Sequence, residues 1–560
     1  MFTCRIDAAN LAGPWRQQGT GWHSRSSYIV PFAHPRLESF GLRTRDQFLA
    51  VTRERFKGGP AQDSLEGEAL SPEVDESTFA QDIHDTQEWP LDFILLLITR
   101  RAGISEVQLS CGTWGSAPVY LLEESATLWV NWDPASLYPY LQSDHLDETR
   151  AVHYLVRCGC PYSKYTLFPG MQVLTERAKA TWSVVRPLTI EYPDPAIAPR
   201  PRLLKADADV LGVFGDILTA SLDRWIDPNS PVAVEFSGGL DTSIVAACAS
   251  RLSNSPVRTY GLVMPAELGE LQQERRQELV RHFGFTDFFI NAEACLPFSD
   301  ENLRIRNDSF VPWHEFYYEA FERLLRQAVQ DNVDLLFSGN GGDELFYLYA
   351  QEWSPEQRAA KQDDILPQRY HLPIFLTDRT FECYRDTLLS LDRAPRARMP
   401  RSALTSSANA STLYLSLGLW PVSPFATPEL AWFCGSLPRE WRENRRLQRE
   451  FLASLGCSRK VTHPDKTETF APVMELSLRN TARPLLEQMF GESRLAEKGL
   501  VERDLLLSAY KDYCKNGGSD GKDVEEAFLA VAVLELSIRS LEASRKKYQP
   551  LTQRHSVAII

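Results

Sequence analysis

The sequence predicts an α/β fold with a parallel sheet over residues 205–560, preceded by a β-rich region over residues 1–195. Two observations carry this reading. Two glycine-rich stretches, about a hundred residues apart, each run from a strand-like segment through a Ser-Gly turn to an Asp and a helix-like segment. Residues 1–195, by contrast, read as short strands separated by turns, with few long helical patterns.

The first stretch begins with Val232-Ala233-Val234-Glu235-Phe236, whose alternation fits a short strand. Ser237-Gly238-Gly239-Leu240-Asp241-Thr242 follows, and Ser243–Leu252 is small and apolar enough for a helix packed on a sheet. Glycines at 238 and 239 permit positive φ and close approach of the backbone to a ligand. The turn N–H groups, Ser237 and the helix N-terminus can then cradle a pyrophosphate. Asp241 suits such a site only as the holder of a cation, and Mg²⁺ accepts one or two carboxylates beside phosphate oxygens. A plain strand–turn–helix junction is the alternative. No Lys follows the glycines, so this is not the kinase-type phosphate loop.

The second stretch reads as a buried strand, Asp334–Phe337, then the turn Ser338-Gly339-Asn340-Gly341-Gly342. Asp343-Glu344 opens a predicted helix, where acidic residues suit the dipole. Asp343 is the second candidate Mg²⁺ ligand, with a simple helix cap as its alternative.

Ser-Gly-Gly-Leu-Asp-Thr resembles the PP-loop of ATP pyrophosphatases, which cleave ATP between the α- and β-phosphates. Together the two stretches resemble the synthetase domain of class B asparagine synthetases and their relatives, the β-lactam synthetases and lasso-peptide cyclases. The resemblance covers about residues 205–540. It includes Thr259-Tyr260-Gly261-Leu262-Val263, placed as the strand flanking adenine, and Val311-Pro312 before the helix leading to the second turn. It continues through Ser423-Pro424-Phe425, the basic run Arg445–Glu450, and Asp465-Lys466-Thr467-Glu468-Thr469-Phe470. The resemblance implies an adenine nucleotide hydrolase-like sheet, with ATP and Mg²⁺ bound. It implies nucleotide contacts at Ser237, Gly238, Gly239, Leu240, Asp241, Thr242, Val263, Ser338 and Gly339, and metal ligation by Asp241 and Asp343. Lys466 is implied as the cation at the reacting centre and Arg445 as a phosphate contact. A solvated loop lysine and a surface arginine are their alternatives.

Residues 1–195 resemble a degenerate glutaminase, an N-terminal-nucleophile-like αββα sandwich, with Tyr165–Leu174 as its exit segment. Working glutaminases of this kind attack with a Cys at position 2, and here that residue is Phe2. Cys4 reads as a half-buried strand residue of Phe2-Thr3-Cys4-Arg5-Ile6. No ammonia from glutamine is expected. The Pro-rich stretch around 196–204 reads as a linker, and residues 57–77 as a surface loop.

Composition narrows the partners. A net charge of −14 argues against a sequence-independent grip on nucleic acid, and so against a tRNA-thiolating PP-loop enzyme. Ten scattered cysteines, of which only Cys158-Gly159-Cys160 are close-set, give no zinc pattern. The run Phe93–Ile98 is too short to cross a bilayer, and residues 1–30 carry no secretory pattern, so a cytoplasmic location is expected.

Asn340 departs from the family, which has an acidic residue or a Tyr there. An amide is no proton acceptor at neutral pH, which argues against aspartate-to-asparagine conversion. Glu315, Glu319 and His314 are the alternative bases. The expected activity is therefore an AMP-forming amide ligase acting on a small-molecule or peptide carboxylate. A lactam or macrolactam cyclase such as a lasso-peptide cyclase, with a precursor peptide and a partner protease, fits a substrate that brings its own amine. An intermolecular ligase or ammonia-dependent asparagine synthetase is the alternative within the class, and a catalytically silent binding or scaffold relative the alternative outside it.

Overall fold

The computed structural model describes residues 1–11, 13–59, 65–101, 104–299, 302–365, 367–516 and 522–556. Over these residues the chain forms three sheets. Two are antiparallel and lie within residues 2–191, with eight and six strands; the third has five parallel strands.

The antiparallel sheets stack face to face, because alternate residues of their strands are apolar. Phe2, Cys4 and Ile6 of the strand Phe2–Asp7 share a core with Phe48, Ala50, Ile94, Leu96 and Ile98 of the other sheet. The intervening Leu49, Val51, Phe93 and Leu95 point the opposite way and pack against Phe79 of the helix Glu76–Gln87. Burial on both faces is what makes Phe93–Ile98 a continuous apolar run. On the outer face of the larger sheet, Tyr120 and Leu122 pack with the helix Glu148–Arg157 and the C-terminal helices. Cys4 is wholly buried rather than half-buried, since its strand lies between two others. Leu65–Leu70, expected within a surface loop, is an edge strand paired with Arg16–Gly19; residues 60–64 lie outside the described residues.

The parallel sheet runs in the order Thr286–Asn291, Arg258–Val263, Ala233–Glu235, Leu335–Phe337, Trp420–Val422. Both glycine turns therefore leave neighbouring central strands on the same edge, where α/β sheets bind ligands. The extended residues 192–205 lie against the C-terminal part, with Ala196 N–H donating to Arg396 O (2.8 Å) and Arg202 N–H to Ser436 O (2.9 Å). The antiparallel part is bonded to the parallel sheet. Arg36 donates to both carboxylate oxygens of Asp334 (3.0 and 3.1 Å), and Trp420 Nε1 donates to the buried Glu54 (2.7 Å). Among the described residues no helix is long and apolar enough to cross a membrane.

Candidate active site

The first turn is held from behind. Gln272 Nε2 donates to the carbonyls of Ser237 and Leu262 (2.9 Å each), tying the turn to the next strand. Gly238 has φ +83°, and a Cβ there would stand 2.8 Å from Cγ of Arg276. Ser237 Oγ accepts from the Gly239 N–H (3.0 Å), and Thr242 Oγ1 accepts from the Ser237 N–H (3.2 Å). The helix Leu240–Ser250 begins here with no side-chain cap, so its first N–H groups are left for a ligand. Leu240 is buried beneath the turn, and Val263 ends the neighbouring strand.

The second turn packs directly on the first. A Cβ on Gly339 would stand 2.8 Å from Cγ2 of Thr242, and one on Gly342 would overlap the Asp241 carboxylate. Ser338 N–H donates to Val422 O (2.9 Å), and its hydroxyl meets Ser423 Oγ (3.0 Å). Asn340 spends its amide donors on the helix Arg401–Ser416, reaching Ser407 Oγ (2.7 Å) and Ala403 O (3.3 Å). The helix expected after Asp343 is a single 3₁₀ turn, Glu344–Phe346. Tyr347 and Tyr349 are extended beyond it, with Tyr349 Oη donating to Pro199 O and Gly435 O.

Asp241 and Asp343 meet at one cation: the same guanidinium nitrogen of Arg445 bonds both carboxylates. Gln448 Nε2 also donates to Asp241 (2.7 Å). Burial pushes the Asp241 carboxyl up to about 6, against the pull of Arg445 and with Asp343 adding to the rise. Asn444 and Arg445 both adopt left-handed backbone (φ 54° and 56°), costing about 1–2 kcal/mol each. Such strain is held where a side chain must be aimed. Two acids drawn to one positive charge beside a glycine-lined cradle fit a Mg²⁺–polyphosphate site.

Lys466 stands apart from this cluster. Its ammonium pairs with Glu267 (2.7 Å) on the helix Ala266–Phe283, and the side chain is 54% exposed. The segment reaches the first turn through Glu468 instead. Glu468 pairs with Arg275 and lies 3.5 Å from where a Gly239 Cβ would be. Gln272, Arg275, Arg276 and Gln448 were not among the sequence candidates. Three of them share one face of the helix Ala266–Phe283, and buried polar residues at i, i+3 and i+4 were the available signal.

A cavity of about 180 Å³ opens behind the second turn, lined by Ser338, Asn340, Glu235, Glu315, Ser407 and Trp114 among others. His314 and Glu319 do not line it. His314 is half-buried, its basicity lowered to about 3 by desolvation and Arg304, and Glu319 is held by Asn302 and Arg304. Cys158 and Cys160 are pushed up to about 12 by burial, and no metal-binding cluster of three or more His, Cys, Asp or Glu occurs among the described residues.

Fold and site thus define an α/β domain with a two-turn ligand cradle at its strand ends, fused to an antiparallel sandwich. The chain belongs to the asparagine synthase family: the family model matches residues 214–539, more than half of the chain. This is a family of ATP-using ligases. No curated protein matches the chain at a significant level. Among solved structures, the U34-tRNA thiolase NcsA from Methanococcus maripaludis, with its [4Fe-4S] cluster, aligns over 56% of this chain and 84% of its own. The identity is 12% and the TM-score 0.24, a likeness that carries no argument.

Proposed function

We propose that the chain is an AMP- and pyrophosphate-forming amide ligase that adenylates a carboxylate for attack by an amine, without hydrolysing glutamine. The observation that carries the reading is the meeting of Asp241 and Asp343, from two interlocked glycine turns, on Arg445. In this reading residues 205–560 are the ligase, with an adenine nucleotide hydrolase-like sheet. Residues 196–204 are the linker, and residues 1–195 a degenerate glutaminase-like sandwich. Cys4 supports the last point, because it lies buried in mid-strand with its thiol pushed well up by desolvation.

The chemistry follows from the cradle. The substrate carboxylate attacks the α-phosphorus of ATP, the α–β bond breaks, and pyrophosphate leaves. An amine then attacks the activated carbonyl and AMP leaves. The uncapped N–H groups of Leu240, Asp241 and Thr242, with those of Gly339 and Gly341, hold the phosphates in place before the charge develops, so little reorganisation is needed. Asp241 and Asp343 would hold Mg²⁺, which supplies compensation for pyrophosphate charge. Arg445 moves from the carboxylates to phosphate oxygens. Lys466 is the second cation: an exposed ion pair such as Lys466–Glu267 is worth about 1 kcal/mol or less, so it releases readily.

The cavity behind the second turn and the burial of Cys4 support a substrate that brings its own amine, as in a lactam or macrolactam cyclase such as a lasso-peptide cyclase. A precursor peptide and a partner protease belong to that reading. The test is to supply Mg·ATP and peptides carrying both an amine and a side-chain carboxylate. ATP-dependent loss of one water from the peptide mass supports cyclisation; peptides that stay linear while amines from solution are joined to them would place the enzyme among intermolecular ligases.

A further inference from the structure

Glu235 ends the strand Ala233–Glu235 and shares a face with Ala233, which packs in the core beneath the helices Tyr318–Gln330 and Arg401–Ser416. An apolar residue is the ordinary choice there. Instead a carboxyl group, packed about by protein, opens on the cavity behind the second turn. Glu315 opens on the same cavity from the loop before the helix Tyr318–Gln330. Glu315 accepts the Tyr317 N–H (3.0 Å), whereas Glu235 has no hydrogen-bond donor among the described residues. Both residues are half-buried, and withdrawing two neighbouring carboxylates partly from water disfavours their shared negative charge. The rest of the lining mixes hydroxyls such as Ser407 and Ser411 and the Asn340 amide with aromatic and aliphatic side chains such as Trp114, Phe321 and Leu413, with no cationic side chain. The cavity therefore lacks one component, a positive charge.

We propose that the Glu235–Glu315 pair is the binding site for the amine substrate, holding it as an ammonium and accepting the protons it loses on attack. The inference rests on the ligase reading and supplies the base that Asn340 cannot be. An ammonium becomes an amide nitrogen by losing two protons. The first passes to Glu235 and frees the lone pair. The new C–N bond then forms while the bond from carbon to the AMP oxygen breaks, and the second proton passes to Glu315. Burial and the neighbouring Glu315 push the Glu235 carboxyl up to about 8, so without a guest it keeps its proton near neutral pH; an ammonium beside it offsets the charge of the pair and restores the carboxylate that takes the first proton. The volume defines the guest. A cavity of about 150 Å³ holds benzene, so this one takes an amine bearing a ring or a short branched chain, with the remainder of the substrate outside. Ser338 and Asn340 place that amine against the second turn.

Saturation-transfer NMR on the full chain, with benzylammonium and its neutral isostere benzyl alcohol as probes, tests the site. Wild type is expected to bind benzylammonium at least about tenfold more tightly than benzyl alcohol. Glu235→Gln, which keeps shape and folding as judged by melting, is expected to abolish that preference, and Glu315→Gln to reduce it. Equal binding of the two probes, or an unchanged preference in Glu235→Gln, overturns the proposal. A Mg·ATP titration of wild type alongside separates the two readings. Amine preference without ATP binding would sink the ligase reading and leave the ammonium site standing, and the reverse result would do the opposite.

Discussion

Aligned on Ser237 and Ser338, the two glycine turns set Phe236 against Phe337 and Glu235 against Leu336. Both serine hydroxyls accept an N–H inside their own turns, Ser237 from Gly239 (3.0 Å) and Ser338 from Asn340 (3.3 Å), yet the acids beyond them differ. Asp241 is in the first turn of a regular helix, its side chain 16% exposed and fixed by Gln448; Asp343 opens a single 3₁₀ turn and its side chain is 74% exposed. The first acid is fixed, and the second is free to adjust. In the proposed ligase reading both are needed, since a wholly rigid pair of metal ligands would hold the pyrophosphate that has to leave.

Removing each acid sharpens that contrast and gives the largest effects. Asp241→Asn and Asp343→Asn are each expected to slow adenylation by at least ~10²-fold, as for other deleted electrostatic stabilisers. Pyrophosphate exchange with ATP in the presence of the substrate acid reads this directly. Exchange near wild type in both would remove the metal assignment. Gly342→Ala attacks the packing between the turns, because the new methyl overlaps the Asp241 carboxylate. Its exchange rate should fall nearly as far as that of Asp241→Asn, while Asp343→Asn leaves the turn contact intact. A fully active Gly342→Ala would mean the turns need not interlock.

The cations give a smaller, graded effect. Arg445→Met and Lys466→Met both remove charge while keeping much of the stem. Loss of Arg445, already inside the acid pair, should weaken ATP affinity as well as the chemical step. Loss of Lys466, which starts outside on Glu267, should slow single-turnover amide formation far more than it weakens ATP binding. Native product formation by Lys466→Met would leave Arg445 as the sole cation of the site.

The Glu235–Leu336 contrast yields the smallest effect, one of stability. With its carboxyl raised from 4.5 to about 8, folded Glu235 keeps a proton that the unfolded chain releases. Its contribution to stability is therefore lost as pH rises from about 4.5 through 8. Glu235→Gln escapes this loss, so its melting temperature should gain on wild type between pH 5 and pH 9, by about 3 °C or more. A constant gap across that range would contradict the burial of a titrating carboxyl.

The fold class and the two acids were legible because each lies within one short segment, where strand alternation, glycine and Asp follow in order. The second layer of the site was not. Arg275 and Glu468 meet across 193 residues, and Gln448 reaches Asp241 across 207. No local pattern records such pairings. Lys466 shows the converse: its segment reaches the first turn, but the side chain that arrives is Glu468, because resemblance places a segment more securely than it aims a side chain. Glu235 was visible as a lone acid in an apolar strand, yet alternation alone reads such a residue as solvent-facing. The helix expected after Asp343 failed because Tyr349, bonded to Pro199 and Gly435, pulls the chain away from the helical path.

The central claim is that both turns serve one site that cleaves ATP between its α- and β-phosphates. Phosphorus NMR of the wild-type protein turning over Mg·ATP with its carboxylate substrate tests it most directly. The account predicts AMP and pyrophosphate in equal amounts, matched to amide formed and lost together in Asp241→Asn. ADP and inorganic phosphate as the products would contradict it.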